Sequence, residues 1–218
     1  MDYTTDEIVN AFRSDRLQYI RVDESDEALK KFIPQILQDP IIQVMAAPSM
    51  LQPRAKKDVD EYLKSVSSSL LGVAIALLPE AGENQDHHSV GESDKLSDKP
   101  PTFIGIMCIG WGGISSSVSH HRNTEVGISL AKPFQNKGYG REAINWVLDW
   151  GFRHAGLHSI GISAASYNPK AVHLYEDIGF TLEGRRRQTI WQNRKWYDSV
   201  EFGMTEEEWE KLRGITPA

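Results

Sequence analysis

The segment Gln135-Asn136-Lys137-Gly138-Tyr139-Gly140-Arg141 constrains this chain most, because a strand-like run ends just before it and a strongly helical run begins within it. Upstream, Glu125 to Leu130 places Val126, Ile128 and Leu130 on one face of a strand interrupted by Gly127. Pro133 has no N–H to give a ladder and stops it. Downstream, Ala143, Trp146, Val147 and Trp150 recur at the spacing of one helical face, and Gly156 after Arg153 and His154 is a stop signal. The pattern predicts one helix from about Gly138 to Ala155. A helix N-terminus carries unpaired N–H groups and the positive end of a macrodipole. Gly138 and Gly140 have no Cβ to keep a bulky anion away from that backbone, and Lys137 and Arg141 add positive charge.

Two glycines before a helix also make plain turns. The Gly-Lys-Ser/Thr ending of a P-loop is absent, and Ala143 stands where the dinucleotide fingerprint has its third glycine. An anion site therefore needs support from a second segment, Asn168-Pro169-Lys170-Ala171-Val172-His173-Leu174-Tyr175-Glu176-Asp177-Ile178-Gly179-Phe180. Together the two segments resemble the GNAT N-acetyltransferase superfamily, whose acetyl-CoA loop follows Gln/Arg-x-x-Gly-x-Gly/Ala and whose next helix carries Asn, Ala, Leu-Tyr and Gly-Phe in this order. A third segment runs from Thr181-Leu182-Glu183-Gly184-Arg185 through Ile190-Trp191 to Lys195-Trp196-Tyr197-Asp198. It looks like the closing hairpin of the RimJ/RimL branch, the ribosomal-protein alanine acetyltransferases. The Asn-Pro-Lys-Ala-Val-His-Leu-Tyr run is also similar to bacterial spermidine acetyltransferases. The resemblance covers about Thr102 to Trp209, with a weaker one from Leu17 to Leu78.

This resemblance implies an α/β (α+β) fold: a mixed, mostly antiparallel twisted sheet of about seven strands, with a splayed parallel pair and flanking helices. It implies acetyl-CoA as cosubstrate, with Gln135, Asn136, Lys137, Gly138, Tyr139, Gly140 and Arg141 at its pyrophosphate. Ile128, Ser129 and Leu130 would pair their backbone with the pantetheine arm, and a backbone N–H near Leu130 would polarise the thioester oxygen. The neighbour from which their strand splays would be His158 to Ala165.

Tyr175 is the expected general acid. Asn168 caps the helix ahead of Pro169, and the resemblance adds a contact from its side chain to the pantetheine or sulfur. The general base stays open. Glu125 stands where spermidine acetyltransferases carry an acid, although a surface carboxylate on a strand would look the same. His120 and His121, close in sequence, are alternatives, while His173 lies off the Tyr175 face of its helix. Ser163 occupies the position where some members place a glutamate, which makes a water chain a further option.

The 218 residues, 40% hydrophobic and 25% charged, fit a single domain over residues 1–218. Cys108, the sole cysteine, lies in the apolar run Phe103 to Trp111 and reads as a buried, inert thiol. No signal-peptide core or bilayer-length apolar run is present, so the expected location is the cytoplasm, with no membrane partner. A net charge of -6 argues against nucleic acid and suits a cationic amine. Arg185, Arg186 and Arg187 read as a solvated strand edge.

Other elements are expected from local pattern. Leu17, Tyr19, Ile20 and Val22 open a strand, and Ser25 caps a helix bearing Leu29, Phe32 and Ile36 that Pro34 shortens. A second helix runs from about Pro53 to Ser67, and the resemblance places this pair at the acceptor wall. Leu71 to Leu78 and Phe103 to Trp111 read as buried neighbouring strands. Between them, Pro79 to Pro101 is an acidic, apolar-poor stretch expected to be a mobile insertion, residues 79–101. His87 and His88 within it have no spaced partners for a metal, and none is expected. Trp191, Trp196 and Tyr197 read as core or cross-strand packing, and Thr205 with Glu208 as a capping box.

The resulting function is transfer of the acetyl group of acetyl-CoA to a primary amine, whether a small molecule, a polyamine or a protein N-terminus, in a ternary complex. A catalytically silent acyl-CoA-binding or sensing module is the alternative, and a nucleotide-dependent phosphotransferase a distant third. Members of the superfamily often pair, so a homodimer is compatible with the resemblance.

Overall fold

Alternating and continuous apolar runs assemble one sheet. The computed structural model describes residues 8–46, 49–78 and 100–215. The expected insertion, with His87 and His88, lies outside the described residues save for Pro100 and Pro101. β1 (Leu17–Arg21), β2 (Leu71–Leu77), β3 (Thr102–Ile109), β4 (Asn123–Leu130), β5 (Ser159–Ala165), β6 (Thr181–Gln192) and β7 (Lys195–Thr205) form a seven-stranded sheet in the order β1-β2-β3-β4-β5-β7-β6. β4 and β5 are parallel; every other neighbouring pair is antiparallel.

Two cores use the two faces of this sheet. In β2, Val73 and Ile75 point to one side and Ala74 and Ala76 to the other, as the strand period requires. The larger pair meets Val147, Leu148 and Phe152 of α5 (Tyr139–Arg153) in one core, which also takes in Tyr175 and Ile178 of α6 (Pro169–Ile178). The alanines leave room for four N-terminal helices: α1 (Glu27–Phe32), α2 (Pro34–Leu37), α3 (Pro40–Ala46) and α4 (Lys56–Ser67). Val59, Leu63 and Val66 form the buried stripe of α4, as its spacing predicts.

The helix starts differ in part from expectation. Asp26, not Ser25, caps α1, its Oδ1 accepting from the N–H groups of Ala28 and Leu29 at 2.8 and 3.1 Å. Ser25 instead donates its N–H and hydroxyl to Asp23. Pro34 divides the run into α1 and α2. α3 was absent from the sequence reading, although Asp39-Pro40 is a cap followed by a proline at the first helical position, and Asp39 Oδ1 accepts from Ile41 N–H at 2.8 Å.

At the other end, Asn193 and Arg194 take positive φ values of 47° and 62° in the two-residue turn of the β6–β7 hairpin. Of the two expectations for Trp191 and Trp196, cross-strand packing holds: they face each other across this hairpin at 5.0 Å, each 55% exposed. α7 (Glu206–Arg213) starts in the expected capping box, with Glu208 N–H donating to Thr205 Oγ1 at 3.3 Å and Thr205 N–H to Glu208 Oε2 at 2.8 Å. Thr205→Ala is expected to remove about 1 kcal/mol of stability. Urea unfolding should show this as a lower midpoint at constant slope.

Candidate active site

The parallel pair is short. β4 and β5 are in register at Asn123 with Ser159, Thr124 with Ile160 and Glu125 with Gly161, and at no later described residue. β4 goes on pairing with β3 as far as Leu130 with Gly105, and β5 with β7 as far as Ala165 with Ser199. The two strands therefore part just beyond Glu125. Gly110 N–H donates to Glu125 C=O and Ala131 N–H to Ile104 C=O, which fixes the odd-numbered residues of β4 as those bonded to β3. Antiparallel alternation then turns the N–H and C=O groups of Ile128 and Leu130 into the gap, while those of Val126, next to the last parallel pair, still face β5. Ser129, expected to act with Ile128 and Leu130, has its backbone committed to β3 opposite Ile106.

At the wide end of the gap lies the glycine loop. Gln135 Nε2 donates to Leu130 C=O at 2.8 Å and ties the loop to the splayed strand. Asn136 and Gly138 take left-handed φ values of 58° and 85°, and α5 begins at Tyr139 with no side-chain cap. The backbone N–H groups of residues 136–141 make no hydrogen bond to any described residue. They form a run of free donors at a helix N-terminus, which is the physical requirement for holding a phosphate. A Cβ on Gly140 would lie 3.8 Å from both Leu130 of β4 and Leu174 of α6, so strand, loop and second helix converge there.

The cations of the loop are less free than its backbone. Arg141 Nη2 pairs with Asp177 at 2.9 Å, a contact between two largely exposed side chains that contributes little and can open. Lys137 Nζ stands 5.7 Å over the Phe134 ring. Two residues that sequence reasoning missed join them. Lys170 Nζ donates to Asn136 Oδ1 at 3.2 Å. Arg16, just ahead of β1, donates from Nη1 to Lys137 C=O at 3.1 Å, from Nε to Glu142 at 2.8 Å, and lies 4.6 Å above the Tyr139 ring. Burial works against the charge of Glu142, but hydrogen bonds from Ser14 and Arg16 outweigh it and hold the carboxyl below its ordinary range.

α6 delivers the other predicted residues. Asn168 caps it, Oδ1 accepting from Ala171 N–H at 3.3 Å, while Nδ2 donates to Met45 C=O at 3.2 Å. Tyr167 OH donates to Val44 C=O at 2.8 Å, so the end of α3 is hooked to the start of α6. The Tyr175 ring is buried and stands edge-on to Phe202 at 5.9 Å. Its hydroxyl makes no hydrogen bond to any described residue, and its oxygen is not sealed from solvent. Burial pushes its pKa up to about 12.

Glu125 is exposed at the point where the strands part, its Cγ 3.2 Å from where a Cβ on Gly161 would stand. It shares its sheet face with Gly127 and Ser129, which floor a cavity of about 360 Å³ under α2, α3 and α4. Cys108 also lines this cavity as a buried thiol that burial raises to about 11. His120 and His121 are exposed, with rings 3.9 Å apart, and Ser163 lies opposite Glu201 of β7. Among the described residues no cluster of three or more His, Cys, Asp or Glu is placed to hold a metal, and no helix is long and apolar enough to cross a membrane.

The family description "Acetyltransferase (GNAT) domain" matches residues 16–181. This chain belongs to the GNAT acetyltransferase family. The GNAT chain is 42% identical over 78 residues to the spermidine N(1)-acetyltransferase of Vibrio cholerae, across 36% of this chain and 45% of that protein. It is 32% identical over 105 residues to the SPbeta prophage-derived uncharacterized N-acetyltransferase YokL of Bacillus subtilis, across 47% of this chain and 59% of that one. The chain thus spans about half the length of the curated relatives it matches. Among solved structures, Vibrio cholerae spermidine N-acetyltransferase in complex with CoA and spermine aligns with a TM-score of 0.68 at 22% identity, over 90% of this chain and 99% of that one. A GNAT-family acetyltransferase from Bacillus anthracis gives 0.66 at 18%, over 90% and 98%. At these identities the structures establish the shared GNAT fold.

Proposed function

We propose that this protein is an N-acetyltransferase that moves the acetyl group of acetyl-CoA to a primary amine by direct attack in a ternary complex. The observation that carries this reading is the run of unpaired N–H groups over residues 136–141 at the end of the free edge of β4. A pyrophosphate suits those donors, with Gly138 and Gly140 giving it room and Lys137, Arg141 and Lys170 within the same loop region. An extended, amide-bearing arm suits the backbone groups of Ile128 and Leu130, which lack the strand partner that β5 gives Glu125. Acetyl-CoA, when bound, supplies an activated acetyl thioester and a thiolate leaving group.

The residues of the chain then divide the work. The N–H groups of Ile128 and Leu130 face the gap and polarise a carbonyl placed there. Glu125 draws the proton from the attacking nitrogen as the N–C bond forms and the C–S bond breaks. Tyr175 gives its proton to the departing sulfur. Burial pushes this phenol up to about 12, which keeps it protonated and able to donate at neutral pH.

Polyamine is one acceptor class compatible with this reading, given Glu125, the net charge of -6 and the spermine in the Vibrio cholerae complex. Release of free CoA from acetyl-CoA over a panel of amines tests the reading. CoA binding without turnover, and no effect of Tyr175→Phe, would favour the silent binding module instead. Glu125→Gln is expected to lower kcat/KM by about 10²-fold with acetyl-CoA affinity unchanged. An unaltered rate would pass the base role to His120, His121 or water.

A further inference from the structure

The cavity beside β4 is lined by a cation that forms no ion pair with a described residue. Arg54 precedes α4 and lines the cavity together with Asp58 and Glu61. Its Nη2 donates to Ser49 Oγ at 3.0 Å, while its Nε is buried with no acceptor. It is the one buried side-chain nitrogen or oxygen among the described residues left in that state. No carboxylate of a described residue lies within ion-pair distance of it. Asp58, close in sequence, spends an oxygen on Ala55 N–H at 2.7 Å. The neighbouring Gln43 amide is also engaged, donating to Leu37 C=O at 2.7 Å and accepting from Gln52 N–H at 3.4 Å.

A guanidinium cannot shed its charge and carries five N–H donors in a planar fork. It stands half-buried beside apolar Ile36, Ile42 and Val66, and its sealed Nε has no acceptor among the described residues. Carboxylate is the group whose shape matches that fork. The floor of the same cavity is Gly127, Ile128 and Ser129, the stretch of β4 beside the gap. A ligand with an anionic end at Arg54 therefore extends toward the place where acetyl transfer is proposed.

We propose that the acceptor is an amine that also bears a carboxylate, as a free amino acid does, and that Arg54 binds this carboxylate. The inference rests on the acetyltransferase reading above. Glu61, exposed and without a partner among the described residues, suits the ammonium end of such a zwitterion as it enters. A polyamine would instead bring a second cation toward Arg54, which disfavours it. The carboxylate is not consumed: the amine nitrogen gains the acetyl group, and its proton leaves through the base.

The test compares L-leucine, L-methionine and L-phenylalanine with their own carboxamides and with spermidine, by free CoA release. The wild type is expected to prefer each acid over its amide by about tenfold or more in kcat/KM. Arg54→Met brings that ratio to about one, through the KM of the acid, and Arg54→Lys restores part of it. Ser49→Ala removes the Nη2 bond but keeps the guanidinium, so the acid preference survives and a purely structural role for Arg54 is separated. Equal use of acid and amide, a preference for spermidine over both, or an unchanged ratio in Arg54→Met would overturn the proposal. If no amine is turned over, calorimetric titration of the CoA-loaded protein with L-leucine and L-leucinamide decides it. Binding of the acid alone, lost in Arg54→Met, upholds the cavity assignment while the transfer reading falls; no binding of the acid overturns it.

Discussion

Replacing Tyr175 by phenylalanine is expected to lower kcat by about 10²-fold or more and to leave acetyl-CoA affinity within about twofold of the wild type. The ring keeps its place, because its contacts with Phe202 and Phe180 involve no hydroxyl. No described group donates to or accepts from that hydroxyl, so its removal strands no buried partner and stability holds. On the proposed mechanism, what is lost is the proton for the departing sulfur. Stopped-flow turnover and calorimetric binding, measured on the same preparation, separate the two effects. Equal losses in kcat and affinity would make Tyr175 a packing residue. With its pKa raised to about 12 by burial, this phenol stays protonated across neutral and mildly alkaline pH, so the wild-type rate shows no alkaline limb from it below that value.

Gly138→Asp is expected to weaken CoA binding by about 10²-fold or more, with little change in the far-ultraviolet circular dichroism. The residue sits at φ 85°, which an L side chain adopts only with strain, and its Cβ would stand 3.1 Å from Arg16 Nη2. The new carboxylate would also compete for the loop N–H groups and repel a pyrophosphate. Gly138→Ala carries the strain without the charge, and the difference between the two variants isolates the electrostatic part. Unchanged affinity in Gly138→Asp would place the pyrophosphate elsewhere on the protein.

The parts of this architecture that were legible in the sequence are those encoded locally. The β4 alternation, the Gly138 start of α5, the Asn168-Pro169 cap of α6 and the Thr205 box of α7 each depend on residues within a few positions of one another. Arg16 was invisible because what gives it meaning, Glu142 and the Lys137 carbonyl, lies far along the chain. The backbone direction of Ser129 depends on its register with β3, which alternation alone does not supply. α3 is short, and its sole signal, Asp39 before Pro40, follows so closely on α2 that a single interrupted helix fits the same apolar pattern. Trp191 and Trp196 read as core or cross-strand packing, and they pack across the strands, on a hairpin tip that reaches past the last β5 partner of β7.

The short register between β4 and β5 also bears on how the molecule holds together. Strands β1 to β4 and strands β5 to β7 are each well laddered, but among the described residues backbone pairing between β4 and β5 covers the three positions from Asn123 to Glu125, with Arg122 C=O accepting from His158 and Ser159 just before them. The sheet is thus hinged at one end, and a ligand arm in the opening would act as its missing rung. If acetyl-CoA fills that opening as proposed, its occupancy and the folding free energy are linked by mass action, and the melting temperature is expected to rise with acetyl-CoA concentration.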